Sequence, residues 1–100
     1  MKILALEKEI PGITEEQCIP LLRSEAERAW DLYQKGVIRE LYFRADRSEA
    51  VIILECNDVH EASDAINSLP LVKNGLIAFE LIPLMAYPGF ARLFQSTDSD

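Results

Sequence analysis

Residues 34–71 of this 100-residue chain read QKGVIRELYFRADRSEAVIILECNDVHEASDAINSLPL, and they decide the fold. Gly36 ends a helical run, because glycine readily takes the backbone conformation in which helices stop. The alternating stretch 37–46 predicts a half-buried strand, and after a polar turn the β-branched run 50–56 predicts a strand covered on both faces. A second helix follows and ends at Pro70, which cannot continue it. The stretch therefore predicts a β-hairpin lying between two helices.

The flanking segments extend this hairpin to the order βαββαβ. Residues 2–8 predict the first strand, and residues 76–84 predict the fourth. Thr14, with a glutamine three positions later, predicts the start of the first helix, and Pro20 predicts either a kink or the start of its main part. Right-handed connections then place both helices on one face of an antiparallel sheet with strand order 4-1-3-2. The predicted class is α+β, with the ferredoxin-like arrangement.

The first helix has an apolar stripe at steps of three and four residues, which predicts its buried face. The stripe consists of Cys18, Leu22, Ala26, Ala29 and Tyr33. Trp30 widens it. We expect Trp30 and Tyr33 to be core residues rather than part of a cofactor site.

The other face of the sheet has nothing in this chain to cover it. The alternation predicts that these apolar residues lie there: Ile3, Ala5, Val51, Ile53, Ala78 and Ile82. Such an area is too large to leave in water. Pairing two such faces across a twofold axis would bury it, so we expect a homodimer with a barrel-like interface.

Composition limits the class of partner. The net charge of −7 and pI near 4.6 argue against nucleic acid and against anionic lipid. The sequence has no apolar run long enough to span a membrane and no pattern of a signal peptide, so we expect a cytoplasmic protein. Cys18 and Cys56 are far apart and there is one histidine, which predicts reduced thiols and no metal site. We expect one domain over 1–94 and a disordered tail over 95–100.

The order of these signals resembles the muconolactone isomerase family of small α+β proteins, over about two thirds of the chain. The residues that carry the resemblance are Glu25, Gln34-Lys35-Gly36, Arg39-Glu40-Leu41, Leu69-Pro70-Leu71, Ile77, Glu80, Leu84 and Pro88. The resemblance implies dimeric α+β barrels that assemble further into rings. It also implies a cofactor-free isomerase that shifts a proton in a small lactone or organic acid. The aromatic tail that carries Tyr87, Phe90 and Phe94 would then form an arm across a neighbour.

Five strand residues are candidates for this chemistry, and we expect them on the open face of the sheet. Glu7 would be the base, because desolvation raises the pKa of a carboxylate in an apolar pocket. Arg44 would bind a substrate carboxylate through two contacts, and Tyr42 would donate a hydrogen bond to an enolate oxygen. Glu80 would join Glu7 and Arg44 at one end as a further catalytic group. Glu40, at the other end, would contact the substrate.

The polar residues of the pocket depart from the family pattern. Where the family has histidine and arginine around strand 2 and a histidine before the tail proline, this chain has Glu40, Tyr42 and Tyr87. Two alternatives therefore stay open. One is a non-catalytic module that binds a small hydrophobic ligand or a partner. The other is a cofactor-free monooxygenase or haem-binding relative, for which His60 is misplaced as an axial ligand.

Overall fold

The computed structural model describes residues 1–95 of the chain. They form four strands and four helices, joined by turns and loops. The strands are β1 (Lys2–Glu9), β2 (Ile38–Phe43), β3 (Ala50–Glu55) and β4 (Ile77–Pro83). The helices are α1 (Glu15–Cys18), α2 (Leu22–Gln34), α3 (Val59–Asn67) and α4 (Pro70–Lys73). Two short 3-10 segments lie at Ile19–Leu21 and Gly89–Phe94. The predicted disordered tail, apart from Gln95, falls outside the described residues.

The strands form one antiparallel sheet in the order β2-β3-β1-β4, which confirms the predicted topology. The helices pack on one face of it. A single core combines the helix residues Leu32, Ala62 and Ile66, and Leu69 between α3 and α4, with the strand residues Ile3, Ala5, Ile38, Ala50, Ile52, Leu54 and with Cys56. No helix in the described part of the chain is both long and apolar enough to cross a membrane.

The prediction of which β1 residues lie on the open face is wrong. Ile3 and Ala5 are 0% exposed and point into the core beneath the helices, because Ile3 pairs with Leu54 and Ala5 with Ile52. The open face instead carries the other residues of the alternation, Leu4 and Leu6, together with Val51, Ile53, Ala78 and Ile82. Since a shift of one residue moves every side chain to the opposite face, Glu7 lies on the helix side too.

Pro20 divides the first helical segment as predicted. Residues Ile19–Leu21 form a 3-10 turn, and the main helix α2 begins directly after it. The rotation of α2 differs from the prediction, however. Leu32 is buried, whereas Trp30 and Tyr33 are 58% and 50% exposed, with ring centroids 5.7 Å apart. The expectation that these two aromatic residues lie in the core is therefore wrong.

Local signals fix the ends of the helices. Thr14 and Gln17 form the predicted capping box, in which the Thr14 amide donates to the Gln17 side chain at 2.7 Å. The Asp58 carboxylate accepts a hydrogen bond from the Glu61 amide at 2.8 Å and caps α3. Gly36 ends α2 with φ of +79°, a value that residues with a side chain rarely adopt.

Residues 84–94 leave the sheet after β4, and we call them the C-terminal arm. The Leu84 amide donates to the Lys2 carbonyl at 2.9 Å. Beyond it the large apolar side chains are exposed, up to 84% at Phe94. The protein measures 64 Å along its longest axis and 28 and 22 Å across it. The Tyr87 ring covers Gly89 so closely that a Cβ there would overlap it, and it meets Phe90 edge-on at 5.0 Å.

Candidate functional site

A cavity of about 430 Å³ lies between the sheet and the helices. Its walls are mostly apolar: Leu22, Ala26, Ala29, Leu41, Tyr42, Phe43, Ala50, Ile52, Leu69, Leu71, Ile77 and Phe79. Two acidic residues, Glu7 and Glu25, also line it. A small apolar molecule with one or two polar groups would fit such a space.

Glu7 reaches the cavity from the sheet. It lies near the end of β1, and one of its carboxylate oxygens, Oε1, accepts a hydrogen bond from the Ala50 amide at 2.9 Å. Burial raises the pKa of Glu7, the Ala50 hydrogen bond opposes that rise, and the negative charges of Glu49, Glu25 and Glu9 add to it.

Glu25 reaches the cavity from α2. Its Oε1 accepts a hydrogen bond from the Leu71 amide at 2.9 Å, which ties α2 to α4. Burial raises the pKa of Glu25, and the hydrogen bond opposes the rise. We did not predict this residue as part of the site. The available signal was its spacing, because Glu25 stands four residues before Ala29 and seven before the buried Leu32, on the inward side of the helix.

The two carboxylates therefore line one apolar cavity from different elements, and the charge of Glu25 adds to the rise in the pKa of Glu7. Raised pKa values make both groups stronger bases than exposed carboxylates. A carboxyl group with a raised pKa also keeps its proton to a higher pH, and in that form it can act as an acid. Such a pair can take a proton from one atom of a bound molecule and deliver one to another.

Arg44 and Glu80 meet Glu7 at the end of the sheet, in a separate opening of about 350 Å³ that we call the charged cleft. Arg44 is bound there by acidic side chains, since its Nε and Nη2 lie 2.8 and 2.6 Å from the two oxygens of Asp46. Its Nη1 is 3.7 Å from Glu49. Glu80 projects from the open face, where it pairs with Leu6. Neither Arg44 nor Glu80 lines the apolar cavity.

Tyr42 and Glu40 lie together on the edge strand β2. The Tyr42 hydroxyl donates a hydrogen bond to Glu40 at 2.7 Å, and this contact raises the pKa of Tyr42. Both residues line a shallow groove beside Trp30 and Tyr33, and Tyr42 also reaches the rim of the apolar cavity. Of the five residues predicted on the open face, Glu40, Tyr42 and Glu80 lie there, since they pair with Ile53, Val51 and Leu6. Glu7 lies on the helix side instead, and it is the one of the five that enters both the cavity and the charged cleft.

The sheet order, the helices on one face and the acidic cavity between them define a ferredoxin-like α+β protein. No protein-family model matches the sequence, and no curated protein matches it significantly. Among solved structures, muconolactone isomerase matches with a TM-score of 0.72 and 21% identity, over 88% of this chain and 92% of that protein. The predicted resemblance is confirmed for the fold, which is muconolactone isomerase-like.

A second solved structure has the same fold. It is 5-chloro-2-hydroxyhydroquinone dehydrochlorinase from Burkholderia phenoliruptrix, in complex with 2,5-dihydroxybenzoquinone. The match has a TM-score of 0.67 and 18% identity, and it covers 89% of this chain and 98% of the dehydrochlorinase. The fold thus carries more than one reaction, so that the site has to identify the chemistry.

Proposed function

We propose that this protein is a cofactor-free isomerase that moves a proton within a small lactone or organic acid. The observation that carries the proposal is the pair Glu7 and Glu25, whose pKa values are raised in one apolar cavity. A general base works best when its pKa lies near the working pH, and burial moves both carboxylates in that direction. The fold shared with muconolactone isomerase adds weight to this reaction class.

In the proposed reaction, Glu7 removes a proton from the carbon next to the substrate carbonyl. The C–H bond breaks, its electron pair moves toward the carbonyl oxygen, and an enolate forms. Protonated Glu25 then delivers its proton to a carbon further along the conjugated system, which forms a new C–H bond and shifts the double bond. Return of a proton from Glu7 to Glu25, directly or through water, restores the starting state.

The remaining candidates would bind the substrate from the cavity rim and the charged cleft. Arg44 would hold a substrate carboxylate, exchanging its contacts with Asp46 for that anion. Tyr42, at the rim, would donate a hydrogen bond to the enolate oxygen in place of its contact with Glu40. Glu80 would add an acidic group beside Glu7 in the charged cleft.

Turnover of muconolactone, followed by absorbance, tests this proposal on wild type and on the variants Glu7→Gln and Glu25→Gln. Each variant keeps the shape of the side chain and removes its acid–base function, so that the rate should fall by about 10²–10⁴-fold. Glu27→Gln is the matched control, because Glu27 is an exposed residue of α2 near Glu25. Full activity in both cavity variants, or no turnover of muconolactone and related lactones by wild type, would contradict the proposed isomerase function.

Binding without turnover is the second candidate function. The apolar walls favour it, and so does Arg44, whose donors already face Asp46 and Glu49. In this case a lactone would bind with measurable heat in calorimetry, and Glu7→Gln would bind it as well as wild type. A lactone converted to product during the titration would exclude the binding module.

We propose that the working unit is a homodimer that pairs two open sheet faces. The proposal is supported by the apolar residues in the middle of that face, which include Leu4, Leu6, Val51 and Ile53. The C-terminal arm also supports the proposal. It follows Pro83, which pairs with Ile3, and so it leaves the sheet at the end opposite Glu7. The arm would therefore cover a neighbouring copy, which also allows dimers to join into rings.

Molar mass in solution, measured by light scattering after size-exclusion chromatography, tests the assembly. Leu6→Lys puts a charge into the proposed interface and should yield monomers, whereas Glu27→Lys on the exposed side of α2 should not. Truncation after Pro83 removes the arm and should leave dimers but no larger species. A wild-type protein that stays monomeric at high concentration would contradict the proposal.

A further inference from the structure

We propose that Glu49 is a positioning residue for Glu7, held by two arginines in the turn between β2 and β3. Its relevance to turnover rests on the proposed function, which makes Glu7 the base. Contacts within this turn hold Glu49 in place, although the sequence predicts the turn only as a polar connection between two strands.

Glu49 is 8% exposed, and it is the one buried charged residue of the described chain. A buried carboxylate is costly unless it is paired, and this one has two partners. Arg47 Nε lies 3.1 Å from Glu49 Oε1, and Arg44 Nη1 lies 3.7 Å from the same atom. The turn that contains all three is also closed by its backbone, because the Arg44 amide donates to the Glu49 carbonyl at 2.9 Å.

Glu49 directly precedes the group that binds Glu7. The pairing of β1 with β3 ends at Leu6 and Val51, and Ala50 is the residue directly before Val51 in the chain. The Ala50 amide therefore points at β1 beyond the last backbone pair, and the Glu7 carboxylate accepts its hydrogen bond at 2.9 Å. Because the arginines fix Glu49 in the turn, they also fix the amide that orients Glu7.

Glu49, Arg47 and Arg44 also determine the charge next to Glu7. The Glu49 carboxylate favours the protonated form of Glu7, while Arg47 and Arg44 offset that charge. The other charged residues near Glu7 come from β1, α2 and β4, and they are Lys8, Glu9, Glu25 and Glu80. The turn differs from those elements because it acts on Glu7 in two ways, through the amide of Ala50 and through the charge of Glu49.

Two substitutions separate a positioning role from a merely structural one. Glu49→Gln removes the negative charge, keeps the shape and leaves two arginines unbalanced, so that the pKa of Glu7 should fall. Arg47→Gln leaves the Glu49 charge less compensated, so that the pKa of Glu7 should rise. A turn that acted on Glu7 only by holding the Ala50 amide would loosen that amide in both variants. The pKa of Glu7 would then rise in both, without the fall that loss of the Glu49 charge produces.

The measurement is a titration of the Glu7 side-chain carboxyl carbon by NMR in the full-length protein, with Glu27→Gln as the control. Opposite shifts in the two variants and none in the control would support the proposal. Shifts in the same direction, or no shift in either variant, would overturn it. Should Glu49→Gln fail to fold, the rise of the Glu7 pKa in Arg47→Gln is measured at low and at high salt. A rise that shrinks with added salt reflects the charge of Glu49 and supports the proposal, whereas a rise that salt leaves unchanged reflects a released Ala50 amide and overturns it.

This titration does not read turnover, so its result is separate from that of the proposed isomerase function. If the isomerase activity is found, the acid limb of its pH–rate profile should move with the Glu7 pKa in each variant. If no activity is found, the titration still reports whether the turn controls Glu7. The two proposals can therefore fail independently.

Discussion

Replacing Glu25 with alanine should destabilise the protein, whereas replacing it with glutamine should not. The Glu25 carboxylate accepts the hydrogen bond of the Leu71 amide at 2.9 Å. Leu71 is 8% exposed, so that this amide has little access to water when its partner is removed. Glutamine keeps an acceptor oxygen at the same position, and alanine does not.

The size of the effect follows from the amide that is left unpaired. A buried donor without a partner costs about 1–3 kcal/mol of unfolding free energy. In a domain of about 100 residues each kcal/mol lowers the melting temperature by about 4–8 °C. Glu25→Gln keeps the bond and removes the charge whose burial raises the pKa of Glu25, so its stability at pH 7 should equal or exceed that of wild type.

Urea denaturation followed by circular dichroism, at one fixed protein concentration, measures these differences. Glu27→Ala is the matched control, because it places the same residue at an exposed position of α2. A free energy of unfolding for Glu25→Ala within about 0.5 kcal/mol of this control would refute the reasoning, since surface substitutions stay within that range. Equal damage by glutamine and alanine would show that the charge matters rather than the acceptor.

Three further predictions concern the pH dependence of stability, the backbone at Gly36 and the cap of α3. Because the pKa of folded Glu7 is raised above 4.5, the stability that it contributes is fully present below that pH and is lost as the pH rises through the folded pKa. Glu7→Gln should therefore flatten the decline of the urea midpoint between acid and neutral pH. Gly36→Ala should lose about 1–2 kcal/mol in urea denaturation, because φ at this helix end is +79°. Asp58→Ala should lose about 1 kcal/mol in the same measurement, because it removes the side-chain acceptor of the Glu61 amide.

Much of the fold follows from interactions between near neighbours in the sequence. The order of elements, the cap at Thr14 and the division of the first helix at Pro20 were predicted and are confirmed. These features depend on backbone geometry and on side chains within a few residues. The strand order was predicted as well, since right-handed connections leave few topologies for βαββαβ.

The sequence did not show which residues of β1 face the helices. Ile3 and Ala5 alternate with Leu4 and Leu6, and both pairs are apolar, so the pattern holds no asymmetry to choose between them. The pairing of Ile3 with Leu54 makes that choice. Glu7 lies on the helix side for the same reason. Glu7 is therefore separated from Glu40, Tyr42 and Glu80, which lie on the open face as predicted.

The rotation of α2 likewise depended on tertiary packing. Apolar residues lie on the side of α2 that carries Tyr33 and on the side that carries Leu32. The side with Leu32 packs against the sheet. Trp30 and Tyr33 were thereby left outside the core, and Glu25 was turned inward toward the cavity.

The elements and their order thus follow from the sequence alone, because they depend on local backbone geometry and on the few topologies that right-handed connections allow. Only the tertiary structure brought Glu7 from β1 and Glu25 from α2 to the same cavity. The two residues are 18 positions apart and lie in separate elements. Their meeting depends on the register of β1 and the rotation of α2, and both are set by contacts with distant parts of the chain.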